Sequence, residues 1–259
     1  MSSRLRHSRP VNATALVVPL LFLCAVAPPD DEYAAARARM VQQQIAEGDS
    51  WGREAVTNAS VLRAMRAVPR HQFVPPGQVS QAYDDRPLPI GYGQTISQPY
   101  IVGKMTELLK VDANSVVLEV GTGSGYQAAI LAELVKDVFT IEIISPLAEQ
   151  ASKRLKALGY SRAHARAGDG YFGWADHAPY DGIIVTAAAS HIPPPLVEQL
   201  KAGGRLIIPV GPPFGLQQLL VLEKRKDGSI TQRSVMSVKF VPLTGRKEGQ
   251  ESASPRAAK

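Results

Sequence analysis

Val116-Val117-Leu118-Glu119-Val120-Gly121-Thr122-Gly123-Ser124-Gly125 reads as a strand that turns through three glycines straight into a helix opening at Tyr126. Four apolar residues in the first five mark a strand covered on both faces, the habit of a parallel sheet flanked by helices. In such a sheet ligands lie beyond the carboxyl ends of the strands, so this turn is the first place to seek a site. Gly121 and Gly123 let a backbone approach a ligand closely, and Gly125 lets the helix pack against its strand.

Outward from the turn, strand and helix keep alternating. Strands are expected over 138–143, 163–167, 182–186 and 205–209, with helices over 126–135, 146–158 and 194–200, the second opened by Pro146. Segments 219–224 and 230–241 then flank Asp227-Gly228, a hairpin signal, so the sheet should end in antiparallel strands. The expected fold is α/β: a doubly wound, mostly parallel seven-stranded sheet with right-handed crossovers and a C-terminal antiparallel hairpin. Upstream, apolar spacing predicts helices over 32–47 and 53–66, the latter stopped by Pro69. Between 70 and 99, Pro75-Pro76-Gly77, Pro87, Pro89, Gly91 and Gly93 break every periodicity. So long an irregular stretch inside a domain is expected to serve function.

With 45% hydrophobic and 20% charged residues in 259, the chain is globular rather than disordered or coiled coil. Cys24 stands alone, which excludes an internal disulfide and a thiolate metal cluster. The net charge of +6 suggests nucleic acid until it is located. Arg4, Arg6 and Arg9 against Asp30 leave +2 in residues 1–30, and Arg246, Lys247, Arg256 and Lys259 against Glu248 and Glu251 leave +2 in 243–259. Only +2 remains for the body, so no nucleic-acid partner is expected. Arg4, Arg6, His7 and Arg9 precede an apolar run over 13–27 that ends Ala25-Val26-Ala27, the small-x-small form of a cleavage site. Two readings stand, an export signal and a disordered extension; the run is too short for a membrane span. The expected organisation is an extension over 1–30, one domain over 31–245 whose residues 31–100 form helices and a covering segment, and a disordered basic tail over 246–259.

The glycine turn also selects among cofactors. A dinucleotide fingerprint needs Gly-x-Gly-x-x-Gly, but position 126 is Tyr and the third glycine comes one residue early; a Gly-Lys-Ser/Thr ending is absent too. What remains is an acid before the glycines, Glu119, a second at the end of the next strand, Glu142, and Gly168-Asp169-Gly170 after the third. Carboxylates on one rim accept bonds from ribose hydroxyls, an ammonium group and an exocyclic amine. A nucleoside with a charged amino-acid arm, S-adenosylmethionine, fits that rim.

With the Gly-Gly-Arg-Leu-Ile-Ile-Pro-Val-Gly strand at 203–211, these motifs resemble a Rossmann-like class I methyltransferase. Pro69-Arg70-His71-Gln72-Phe73-Val74-Pro75, Tyr83, Gln94-Thr95-Ile96-Ser97-Gln98-Pro99 and Val185-Thr186-Ala187-Ala188-Ala189 followed by His191-Ile192-Pro193-Pro194 resemble the protein-L-isoaspartate O-methyltransferases, over about residues 33–243. Ser190 departs from the proline expected there in many members. The resemblance implies methyl transfer from S-adenosylmethionine to the α-carboxylate of isoaspartyl residues in damaged proteins, the ester then closing to a succinimide. That carboxylate is already an anion at neutral pH, so no general base is needed. The resemblance implies Ser97 as the catalytic residue, orienting the carboxylate, while the residues alone allow a helix-capping hydroxyl. It places Thr95, Ile96, Glu119, Gly121, Thr122, Gly123, Glu142, Ile143, Asp169 and Gly170 at the cofactor, and Gln94 and Gln98 at the substrate. For Asp169, turn shaping is the alternative.

No metal site is expected, since His71 and His191 lack ligand-like spacing and take structural or substrate-loop roles. Trp51 and Trp174 are expected as core or loop anchors. The implied partners are isoaspartyl proteins and peptides, met by a monomer in the cytoplasm, with export to the periplasm as the alternative. Three rivals stay open: a class I methyltransferase acting on RNA or a small molecule, a non-catalytic peptide-binding module of the same fold, and an NAD-dependent dehydrogenase. Thr186-Ala187-Ala188-Ala189 stands where an amine or base methylase would place Asn/Asp-Pro-Pro-Tyr/Phe.

Overall fold

A computed structural model describes residues 32–48 and 53–245. The expectations placed on residues 1–30, on Trp51 and on the tail from 246 lie outside them. Helix α1 (Ala34–Arg39) continues into a π-helical segment, Met40–Ala46, that buries Met40, Val41 and Ile45. Helix α2 (Ala59–Ala67) begins later than the apolar spacing over 53–66 suggests. Asn58 sets its start by accepting from the Ser60 and Val61 amides at 2.9 and 3.1 Å, which leaves buried Val56 in the preceding loop.

The stretch over 70–99 holds more order than its prolines suggest. Two 3-10 turns, Arg70–Phe73 and Pro76–Gln81, lead to strand β1 (Leu88–Gly91), paired antiparallel with β2 (Gln94–Ile96). Pro89 concealed this hairpin, because proline is foreign to central strands; a two-stranded sheet has only edges and accepts it. Gly91, Tyr92 and Gly93 form the tip with φ of +94°, +53° and +71°.

Then follow α3 (Pro99–Leu109), β3 (Val116–Val120), α4 (Tyr126–Ala132), β4 (Asp137–Glu142), α5 (Ser145–Ala157), β5 (Ala163–Ala167), β6 (Tyr180–Val185), α6 (Pro194–Glu198), β7 (Leu200–Val210), β8 (Gln217–Lys224) and β9 (Ile230–Val238). Seven strands form one sheet in the order β5-β4-β3-β6-β7-β8-β9, parallel as far as β7 and antiparallel beyond it, the expected α/β architecture. Strand alternation sorts the core. Val117, Ile184 and Ile207 pack with residues of α2 to α5 on one face, while Leu118, Ile183 and Leu206 pack with Leu196 of α6 on the other.

The strand order reverses at the β3/β6 pair, where Val117 lies opposite Gly182. From β3 the chain winds outward through β4 to β5, and from β6 the other way, so the connections splay apart and leave a crevice at the carboxyl ends. Gly125 (φ +89°) opens α4 as expected, but its tight neighbours are Leu155 and Ala151 of α5 rather than the strand. A Cβ at Gly125 would sit 3.3 Å from Leu155 Cγ.

Candidate functional site

The crevice is a cleft of about 760 Å³, counting space open to solvent, between the glycine turn, the end of β4 and the hairpin strand β2. Gly121 turns with φ +99°, and a Cβ there would stand 2.5 Å from Thr186 Oγ1. That hydroxyl donates to the Gly121 carbonyl at 2.7 Å, pinning the turn to the end of β6. Four of the turn's amides are occupied: Gly121 and Thr122 donate to the Ile141 carbonyl, Gly123 to Glu142 Oε2 at 2.8 Å and Gly125 to the Thr122 carbonyl. A phosphate cradle draws on such N–H groups, and these four are already spent.

Glu119 is wholly buried at the floor of the cleft. Its Oε2 accepts from Thr140 Oγ1 at 2.6 Å, and Thr122 Oγ1 lies 2.6 Å from the same Thr140 oxygen. Oε1 has no partner. Burial, helped by the nearby Glu142 charge and opposed by the Thr140 hydrogen bond, pushes the Glu119 carboxyl up to about 8. Glu142, also buried, accepts from the Gly123 amide and, at 3.0 Å, from the Ile144 amide. One lone pair on each of its oxygens stays available. Ile143 beside it is 38% exposed within the cleft, an apolar surface that a flat ring would cover.

These features fit a nucleoside with an amino-acid arm. An orphaned buried carboxylate oxygen calls for a donor such as an ammonium group, Glu142 suits sugar hydroxyls, and Gly121 leaves no room for a side chain. Among the expected residues, Gln94, Thr95, Ile96, Ser97, Glu119, Gly121, Thr122, Gly123, Glu142, Ile143 and Gly170 all border this cleft. Asp169 does not: its Oδ1 accepts from the Tyr171 amide at 3.0 Å and shapes the turn over Gly170–Phe172. Gln98 borders a second cavity of about 900 Å³, also open to solvent, between the hairpin, α3 and the chain that leaves β9.

Ser97 borders both cavities, as do Thr95, Thr186 and Val241. Ser97 is not the cap of α3; that position is Gln98, and no side chain bonds there. Sequence reasoning missed Thr186 as the pin of the glycine turn, Lys239 in the second cavity and the 241–244 stretch in the first. Residues 239–241 were expected inside the last strand, but β9 ends at Val238. Beyond it the Ala188 amide donates to the Val241 carbonyl at 2.8 Å and the Leu243 amide to the Ala188 carbonyl at 2.7 Å, drawing this stretch over the cleft. No local pattern announces that pairing; the Ala187-Ala188-Ala189 run, small enough to admit it, is its one trace.

His71, His191 and Trp174, which border neither cavity, each contact neighbouring side chains. His71 Nδ1 lies 2.7 Å from Tyr83 Oη, and His191 Nε2 lies 3.3 Å from Tyr171 Oη. Trp174 is a loop anchor: its amide donates to Gln199 Oε1 at 2.8 Å and the Arg166 guanidinium covers its ring at 4.0 Å.

Comparison with known proteins now decides the family. A profile described as protein-L-isoaspartate(D-aspartate) O-methyltransferase matches residues 40–248. The chain belongs to that family. A Syntrophobacter fumaroxidans protein-L-isoaspartate O-methyltransferase is 57% identical over 92% of this chain and 99% of the relative. A Cupriavidus necator relative of the same name is 52% identical over 91% of each chain. Among solved structures, a protein-L-isoaspartate O-methyltransferase superposes with a TM-score of 0.68 at 28% identity, covering 73% of this chain and 62% of the other. A Plasmodium falciparum structure named for the same activity, holding S-adenosyl-L-homocysteine, shares the fold with a TM-score of 0.66 at 22% identity, over 82% of this chain and 98% of its own.

Proposed function

We propose that the chain performs its family's reaction across the wall between the two cavities, with S-adenosyl-L-methionine in the first and the isoaspartyl peptide in the second. The observation that carries this reading is the position of Ser97, which borders both. Bound there, S-adenosyl-L-methionine would supply an electrophilic methyl group to the carboxylate oxygen, the methyl–sulfur bond breaking with its electron pair left on sulfur as the neutral thioether S-adenosyl-L-homocysteine, and no proton would move. The chain's residues therefore have to align and exclude water rather than act as acid or base. Ser97 donates its hydroxyl to the peptide's α-carboxylate and aims one oxygen at the methyl carbon. Thr95, Ile96 and the 241–244 stretch wall off solvent. Glu119 Oε1 receives the ammonium of the amino-acid arm, Glu142 the ribose hydroxyls, and Ile143 the face of the adenine. Asp169 shapes the turn that brings Gly170 to the first cleft, Gln94 borders the cofactor there, and Gln98 and Lys239 meet the peptide in the second.

The cytoplasm, where the cofactor is supplied, is the compartment this reading favours over export. Among the described residues no helix is long and apolar enough to cross a membrane. The test is methyl transfer from tritiated donor to a pair of peptides differing only in an isoaspartyl or aspartyl linkage. The reading expects a base-labile ester on the isoaspartyl peptide alone; equal labelling, or none, overturns it and returns the chain to another methylase substrate or to a non-catalytic module.

A further inference from the structure

Arg70 is one of the largest fully buried side chains in the molecule, and among the described residues no carboxylate forms an ion pair with it. A guanidinium taken out of water without a counter-ion is costly, and well-packed apolar residues do structural work at lower cost. Its hydrogen bonds show what it holds. Nε donates to the Ala82 carbonyl at 2.8 Å and Nη2 to the Ser97 carbonyl at 2.7 Å, while Nη1 has no partner. The guanidinium carbon rests 4.8 Å over the ring of Tyr126, the residue that opens α4 and borders the first cleft. One planar group thus ties the segment ahead of the hairpin, the segment between β2 and α3, and the start of α4.

We propose that Arg70 is a positioning residue for methyl transfer, setting the Ser97 hydroxyl in the wall between the cavities by clamping the Ser97 main-chain carbonyl. The proposal rests on the reading of Ser97 given above. Ser97 is partly exposed at the junction of a short strand and a helix. Without the clamp its backbone is free to shift by fractions of an ångström, the scale on which alignment of a transferring group is lost. Lysine at position 70 keeps the charge but has no planar fork with which to reach two carbonyls at once.

The test is a double-mutant cycle on R70K and S97A, reading kcat and KM for an isoaspartyl peptide together with affinity for S-adenosyl-L-homocysteine. R70K is expected to lower kcat about tenfold or more, the scale of a misaligned transfer, with KM and cofactor affinity within about threefold. In the S97A background the same change should cost less than about twofold, because the group it positions is gone. Equal losses in both backgrounds mean a general structural role and overturn the proposal, as does an unchanged kcat in R70K. An unchanged kcat in S97A overturns the reading of Ser97 itself, a separate result. Should R70K fail to fold, the amide joining Ser97 to Gln98 is exchanged for an ester by incorporating the α-hydroxy analogue of glutamine. That weakens the carbonyl as an acceptor and leaves every side chain in place. A severalfold fall in kcat at unchanged cofactor affinity supports the clamp; no fall contradicts it.

Discussion

Glu119 combines a buried carboxylate, one satisfied oxygen and one orphan, and the combination has a pH signature. Its folded value near 8 lies above the ordinary 4.5, so between those limits the folded chain holds a proton that the unfolded chain has lost. The stabilisation it gives is full below about 4.5 and disappears as pH rises through 8. Melting of the cofactor-free protein from pH 5 to 8 should therefore fall more steeply in the native chain than in Glu119→Gln; parallel curves would contradict the assignment. An ammonium group brought to Oε1 favours the anion, so calorimetry near pH 7 in buffers of different ionisation enthalpy should show a proton released on cofactor binding. Ser97→Ala tests the other side of the site. Loss of one hydrogen bond to a charged carboxylate, about 1.5–3 kcal/mol, should lower kcat about tenfold to a hundredfold with cofactor affinity nearly unchanged. At this scale the sequence was readable where geometry is local: Gly121 and Gly123 stand in a turn with positive φ, and Glu142 ends a strand at the rim. Arg70 was not, because a buried guanidinium clasping carbonyls 12 and 27 residues away leaves no local pattern.

Among the elements, the β1/β2 hairpin leads into the segment proposed to align the substrate, since β2 ends at Ile96, one residue before Ser97. Its tip depends on backbone freedom more than on space: Gly91 and Gly93 have positive φ, yet a Cβ at either would meet nothing within 4 Å. Gly91→Ala and Gly93→Ala should then each cost about 1 kcal/mol through backbone strain. Because β2 borders the cleft, they should also weaken cofactor binding severalfold by titration. Full affinity in both would show that the hairpin does not shape the site. The major strands were legible from their apolar runs, whereas this hairpin was not, since Pro87, Pro89, Gly91 and Gly93 fall within or beside two short strands. Helix α2 shows the opposite failure, apolar spacing extending the expected helix past the residue that caps it.

For the molecule as a whole, the cleft follows from the point where the strand order reverses, and a ligand there bridges turns after β3 and β4 to the hairpin and the chain after β9. Cofactor binding should stabilise the entire unit. At a hundred times Kd the linkage is about 2.7 kcal/mol, which for a domain of this size raises the melting temperature by roughly 5–10 °C. S-adenosyl-L-homocysteine should give that rise and NAD none; a rise with NAD would reopen the dehydrogenase reading. That the sheet is parallel over its first five large strands was foreseeable from the alternation of strand and helix, though their order was not read. The covering of the cleft by the 241–244 stretch was not, since it depends on pairing with residue 188, more than fifty residues earlier. The most direct measurement is a crystal structure of the chain with S-adenosyl-L-homocysteine and an isoaspartyl peptide together. It should show the sulfur in the first cavity and the peptide's α-carboxylate in the second, within hydrogen-bond distance of Ser97 Oγ. A carboxylate seated away from Ser97, or a nucleoside outside the turn of Gly121 and Gly123, would contradict the account.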